Sequence, residues 1–167
     1  MAAPQGDVAL LQDPVAQALL SAREPARLAY TWTDGSPRVV PMWFTWDGTR
    51  VVMAGPPDVP KVKALRRDPR VAITIDQAAS WPYTVLLIRG RASLDDVQGI
   101  PPEYAQAAVR YFGPEQGAAW VEQVRTLGAS MLRIAVTPDW VSILDFEQRF
   151  PSAIARAMAA TTAAPRA

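Results

Sequence analysis

Cysteine and histidine are both absent from this chain of 167 residues. Without cysteine there is no disulfide, no thiolate nucleophile and no Cys-ligated zinc site. Without histidine the usual general base is missing, and with it the Ser-His-Asp triad, most transition-metal sites and His-ligated haem. An excess of one charge is lacking too. The formal net charge is +1, too small to draw nucleic acid or an acidic surface by bulk field, although a local basic patch stays open. No apolar run is long enough to span a bilayer. The start, MAAPQGDVALLQDP, has neither the basic head nor the apolar core of a signal peptide. The expectation is a soluble cytoplasmic protein. If it is an enzyme, these absences leave the difficult chemistry to a bound organic cofactor.

Half of the residues are hydrophobic, enough for one core in one domain. Asp13-Pro14 starts a helix, with Asp as cap and Pro as first helical residue. Val15, Leu19 and Leu20 form its apolar face. ARLAYTWT from Ala26 reads as a strand. Asp34-Gly35 is a hairpin signal, and Arg38 to Trp46 follows as a second strand. Asp47-Gly48 is another hairpin signal before the strand Arg50 to Ala54. Two such turns in quick succession predict an antiparallel meander. Gly55-Pro56-Pro57 breaks the pattern. Asp58 is placed to cap a helix running to about Arg67, with Val62 and Leu65 inward and Lys63, Arg66 and Arg67 outward. Arg70 to Asp76 is a strand, and a long one lies within Trp81 to Leu94, where Gly90 marks a bulge or bend. Pro101 to Tyr111 and Pro114 to Thr126 read as helices. Ser130 to Val136 and Trp140 to Phe146 return to β. The domain spans 1–150 with a helical insert at about 95–129. Residues 151–167 form a partly disordered tail in which Ser152 to Met158 can extend as a helix. About six or seven strands joined early by hairpins favour an antiparallel barrel with peripheral helices over a βαβ repeat. Neither a GxGxxG nor a P-loop is present.

Lys61 falls in the first turn of the helix after Pro57. A cation is mildly unfavourable there unless an anion joins it, and the free N–H groups and dipole of a helix start suit a phosphate. Spacing alone slightly favours an ordinary solvated basic helix. In RVVPMWF, Pro41 cannot pair at its amide, so this strand reads as an edge or an opening where a planar ligand can lie. Val39, Val40 and Phe44 read as core, and Trp43 equally as core or ligand surface. Trp81-Pro82-Tyr83 suits the wall of a ring-binding site, and equally a dimer contact or core. Six Trp in so small a domain predict apolar surface that one subunit does not bury alone, hence a homodimer. Asp34, Asp47, Asp68, Asp95 and Asp96 sit at turns or caps and read as structural.

The order strand–DG–RVVPMWF–DG–strand–loop–KVKALRRDPRVAI–strand, from about Ala26 to Leu94, resembles the split-barrel flavin-binding superfamily related to pyridoxamine 5′-phosphate oxidase. It is most similar to the flavin/deazaflavin oxidoreductases. The most specific part is K-x-K-x-L-R-x-x-P-R-V. The resemblance implies a mainly β fold with peripheral helices, a six-stranded antiparallel split β-barrel, acting as a homodimer with its cofactor between the subunits. Position by position, it implies that Arg38, Val40, Pro41, Met42 and Trp43 line the cofactor ring and phosphate. It implies that Ala54 and Gly55 meet the phosphate, that Lys61 is the phosphate-binding lysine with Lys63 as a basic neighbour, and that Trp81 and Tyr83 fall where some members touch the ring. Trp140 falls near the point where the final strand reaches across the dimer. The sequence departs from the oxidase proper: Pro60 stands where an Arg often precedes the lysine, and the substrate-binding His and C-terminal Arg motif are not recognisable.

The implied activity is hydride transfer between F420 or FMN and a small organic substrate, with no side chain assigned a catalytic role and no metal site. LRRDPRV and the positive charge of Lys63, Arg66 and Arg67 lean toward F420, whose tail is acidic. The alternative is a non-catalytic protein that stores or senses such a cofactor. A nucleic-acid-binding barrel is disfavoured by the low net charge and by the lack of an aromatic strand face interleaved with Lys and Arg.

Overall fold

A computed structural model describes residues 3–128 and 130–163. Its centre is one antiparallel sheet of seven strands in the order β2-β1-β5-β6-β7-β4-β3. The strands are β1 Ala26–Thr31, β2 Pro37–Met42, β3 Thr45–Trp46, β4 Val51–Gly55, β5 Arg70–Gln77, β6 Thr84–Gln98 and β7 Ser130–Asp145. The helices are α1 Pro14–Ser21, α2 Pro60–Arg67, α3 Pro102–Phe112, α4 Pro114–Leu127 and α5 Ser152–Ala163. Strands from both ends of the sheet feed one core, in which Leu28 of β1, Met53 of β4, Ile73 of β5, Ile88 of β6 and Ile134 of β7 are buried with Leu19 of α1 and Leu65 of α2. The sheet therefore curls around its contents. The architecture is mainly β with peripheral helices, with seven strands where six were expected.

Both Asp-Gly turns form as expected, with Gly35 and Gly48 at positive φ, where the missing Cβ removes the steric penalty. Each aspartate accepts from the backbone two residues on, Asp34 from Ser36 N at 2.8 Å and Asp47 from Thr49 N at 2.9 Å. Asp13 caps α1 by accepting from Val15 N at 3.0 Å, with Pro14 in the first turn.

Four local expectations need correction. Arg38 to Trp46 is not one strand: pairing stops at Met42, and Trp43 and Phe44 separate β2 from β3 because Phe44 turns fully into the core. Val39 is not core but 63 % exposed, since alternation puts Val40 and Met42 on the inner side of this edge strand. Asp58 does not cap α2, whose N-cap is Val59 with no side-chain hydrogen bond. The two runs after Ser130 are one strand, β7, bent rather than ended. Arg89 pairs with Trp140 and Gly90 with Pro138, so Asp139 is the extra residue of a bulge. Pro138 needs no ladder N–H there. A Cβ on Gly90 would overlap the Thr137 carbonyl oxygen, which explains the glycine at the expected bend.

The helices read as an insert, α3 and α4, pack against each other through Gly117, where a Cβ would lie 2.6 Å from Val109 Cα. They dock on the β3–β4 side. Thr45 Oγ1 donates to Glu103 O at 2.9 Å, and Arg133 of β7 pairs with the Glu103 carboxylate at 2.8 Å. Arg110 donates to the carbonyls of Leu20 and Phe44. The tail carries α5 to Ala163, longer than the expected Ser152 to Met158. The expected disorder of the last residues falls on 164–167, outside the described residues.

Candidate functional site

The loop 56–59 between β4 and α2 borders two cavities. The first, of about 520 Å3, is lined by Trp32, Thr33, Pro57 to Pro60, Val62, Lys63 and Arg66. The second, of about 600 Å3, opens on the other side of the loop toward α4 and shares Pro57 and Asp58 with the first. The β4 residues Ala54 and Gly55 lead directly into this loop, so these two expected positions lie at the junction.

The first cavity has the character of an anion site. Lys61 and Lys63 are the only lysines of the sequence, and both fall in the opening turns of α2. Pro60 supplies helical φ without needing a partner for an N–H, and no side chain satisfies the exposed start of the helix. Lys61 is half-buried, and that burial alone pushes its ammonium below the usual lysine value, with no carboxylate offsetting it. Lys63 faces the cavity directly. Arg66 also lines it while pairing with Asp96 at 3.2 Å. Arg67 turns away and donates to Thr33 O at 2.6 Å, which holds the β1–β2 hairpin against α2. Of the three outward cations expected to meet an acidic tail, Lys63 and Arg66 reach the cavity and Arg67 is engaged in holding the hairpin.

β2 lies along the unpaired edge of the sheet, with Val40 opposite Leu28 and Pro41 opposite Arg27 on β1. Its outer edge is free, in keeping with Pro41. Arg38 stacks over the Trp32 ring at 4.7 Å, which ties the expected Arg38 to the wall of the first cavity. Trp32 was read only as part of a strand. Its signal was its inward register two residues before the turn, next to Tyr30 at 6.4 Å between rings.

Trp43 is placed elsewhere. Its ring stacks on Tyr111 at 5.2 Å and 10°, meets Phe112 edge-on at 4.9 Å and lies 6.0 Å from Tyr104. Within one chain it is a buttress for the helix pair. Burial raises the Tyr111 phenol above its ordinary pKa despite the neighbouring Arg110, so it stays protonated and donates to Glu24 O at 3.3 Å.

Trp81 and Tyr83 form a third locus. Their rings are 5.5 Å apart, and Phe146 packs 4.5 Å from Tyr83 and 5.2 Å from Trp81. Trp81 remains 67 % exposed. This cluster adjoins Thr84 at the start of β6, whereas Gly55 pairs with Leu132, which faces Asp96 near the end of β6. Thr84 and Asp96 are separated by about 40 Å of strand path. By register Gly55 lies at the Asp96 end of β6, Arg38 is level with Gly90 at its middle, and Pro41 is level with Leu87, toward the Thr84 end where Trp81 and Tyr83 stand. Trp140, expected near a dimer contact, stacks under Arg89 at 4.3 Å and packs against Gly6. Among the described residues no group of three or more acidic side chains is set to hold a metal ion, and no helix is long and apolar enough to cross a membrane.

The family described as pyridoxamine 5′-phosphate oxidase matches residues 12–143. Among solved structures, an F420 reductase is 25 % identical and aligns over 75 % of this chain and 94 % of its own, with a TM-score of 0.56. A FAD-binding protein from Mesorhizobium loti is 20 % identical over 76 % of this chain and 87 % of its own, with a TM-score of 0.51. The heme storage protein HutZ from Vibrio cholerae is 16 % identical over 80 % and 93 %, with a TM-score of 0.58. The last two show a shared fold. No curated protein matches the sequence significantly.

Proposed function

Starting from the fact that the chain belongs to the pyridoxamine 5′-phosphate oxidase family, we propose that it is an oxidoreductase that binds F420 or FMN at the start of α2. Lys61 carries this reading: a half-buried ammonium without a counter-charge, at an uncapped helix start. The folded chain has already partly desolvated that charge, and a phosphate supplies what is missing. Lys63 and Arg66 are the cations that line the first cavity, which Lys61 itself does not line, and their charge suits the acidic tail of F420 and keeps F420 ahead of FMN. The F420 reductase, at 25 % identity, supports the same order. Haem is disfavoured by the absence of His and Cys.

The bound ring would supply the hydride chemistry. The protein's part is binding and orientation. Lys61 holds the phosphate, Arg38 and Trp32 wall one side, and the free edge of β2 offers backbone to a planar ring. Trp81 and Tyr83, remote within one chain, join the site only if a second subunit brings its own pair. The working unit is accordingly a homodimer with the cofactor at the interface, acting on a small organic molecule.

Titration of the purified protein with F420 and with FMN, followed by fluorescence, tests this. Binding of neither refutes the reading. Lys61→Ala should weaken binding by about 1–3 kcal/mol, and an unchanged Kd refutes the site. Oxidation of the reduced cofactor by a panel of organic acceptors separates an enzyme from a storage or sensing protein.

A further inference from the structure

We propose that the second cavity, between α4 and the loop 56–59, binds a hydrophobic arylalkylamine in its ammonium form. At about 600 Å3 it is large enough to enclose a small organic molecule. Most of its wall is apolar, with Ile100, Val124 and Met131 among its residues, and two rings face it, Tyr104 of α3 and Trp120 of α4. These rings are fixed before any ligand arrives. Trp120 Nε1 donates to Tyr104 Oη at 2.9 Å, and Phe112 braces the Trp120 ring edge-on at 5.8 Å. A fixed aromatic wall loses little side-chain freedom on binding.

Asp58 is the one acidic or basic residue in its lining. An aspartate just before a helix usually caps it, but α2 starts at Val59 without a side-chain cap. The Asp58 carboxylate makes no hydrogen bond or ion pair with a described residue, unlike Asp34, Asp47 and Asp68, whose carboxylates are all engaged. An unpaired carboxylate beside an apolar, aromatic chamber complements a cation with an apolar body: the ammonium pairs with the carboxylate and is attracted to the ring faces. The same carboxylate repels acids and phosphates. The first cavity also borders Asp58 but adds Lys63 and Arg66, so only in the second does the carboxylate stand without a cation beside it. The amine's role as substrate rests on the function proposed above; its binding does not.

Three ligands sharing one ring system test the charge rule: 1-naphthylmethylamine, 1-naphthylmethanol and 1-naphthylacetate. Their Kd values are measured by titration calorimetry with and without saturating FMN. The amine should bind at least tenfold tighter than the alcohol, and the acid weakest. Asp58→Asn should reduce the amine to the affinity of the alcohol and leave the alcohol unchanged, while Asp58→Glu retains the preference. Trp120→Ala should weaken amine and alcohol together. Equal affinities, tighter binding of the acid, no binding of any of the three, or an amine preference that survives Asp58→Asn each overturns the proposal. Because the measurement is also made without FMN, a selective amine site stands even if no flavin binds. Conversely, flavin binding without amine selectivity rejects this cavity and leaves the cofactor site intact.

Discussion

Asp47 shows how one side chain can specify a turn. Its carboxylate accepts from Thr49 N, Thr49 Oγ1 and Arg50 N at 2.9, 2.9 and 2.7 Å, and pairs with Arg50 Nε at 3.0 Å. Burial pushes its pKa up, but these donors outweigh burial and hold it at about 2, below the ordinary 3.8. A depressed carboxylate contributes stability that is present above its unfolded pKa and is lost as pH falls from about 4 through about 2. Thermal unfolding should therefore show a smaller drop in Tm between pH 5 and pH 2 for Asp47→Ala than for the wild type. Equal drops would mean that the turn does not depend on this charge. Residues of this kind were legible in the sequence because all their partners lie within three positions. Asp58 was not. It was read as a cap because capping is local, yet α2 begins one residue later on Val59-Pro60 and leaves Asp58 against two cavities made by distant segments.

At the scale of elements, the helix pair α3–α4 is the part whose position the sequence left open. Its existence and ends followed from the Pro101 and Gly113-Pro114 breaks, but its berth is set by contacts from far along the chain. Trp43 stacks on Tyr111, and Arg110 reaches the carbonyls of Leu20 and Phe44. Trp43 was equally legible as ring-binding surface, because an aromatic after an edge strand serves either purpose. The arrangement in one chain makes it a buttress, so Trp43→Ala should destabilise the fold by about 2–4 kcal/mol through lost aromatic packing. FMN affinity in the folded variant should change less than for Lys61→Ala. Denaturant unfolding and flavin titration on the same variant check both. A variant of full stability with lost flavin binding would return Trp43 to the cofactor.

At the scale of the whole molecule, the expected site residues spread along the sheet, with Gly55 at the Asp96 end of β6, Arg38 level with Gly90, and Trp81 and Tyr83 beside Thr84. Trp81, at 67 % exposure, is an apolar surface that association would cover. The homodimer proposed above predicts a sedimenting species of twice 18.2 kDa. Trp81→Asp should shift it toward monomer and weaken flavin binding together, because the same contact would complete the site. A monomeric wild type at micromolar concentration that binds flavin fully would remove the second subunit from the site.

The sequence by itself determined the features that depend on neighbours along the chain. These are the two Asp-Gly hairpins, the capped start of α1, the glycine at the β6 bend, the basic opening of α2 and, through missing histidine and cysteine, the exclusion of chemistry carried by those two side chains. Their causes act over a few residues, through positive φ, short side-chain-to-backbone hydrogen bonds and the helix dipole. Tertiary structure alone decided that Val39 faces solvent, that β7 runs unbroken past Pro138 and that Trp43 braces a helix pair. It also decided that Asp58 borders two cavities, one carrying Lys63 and Arg66 and the other no cation. Those outcomes depend on which distant segments share a surface, and close packing of the curled sheet settles that all at once.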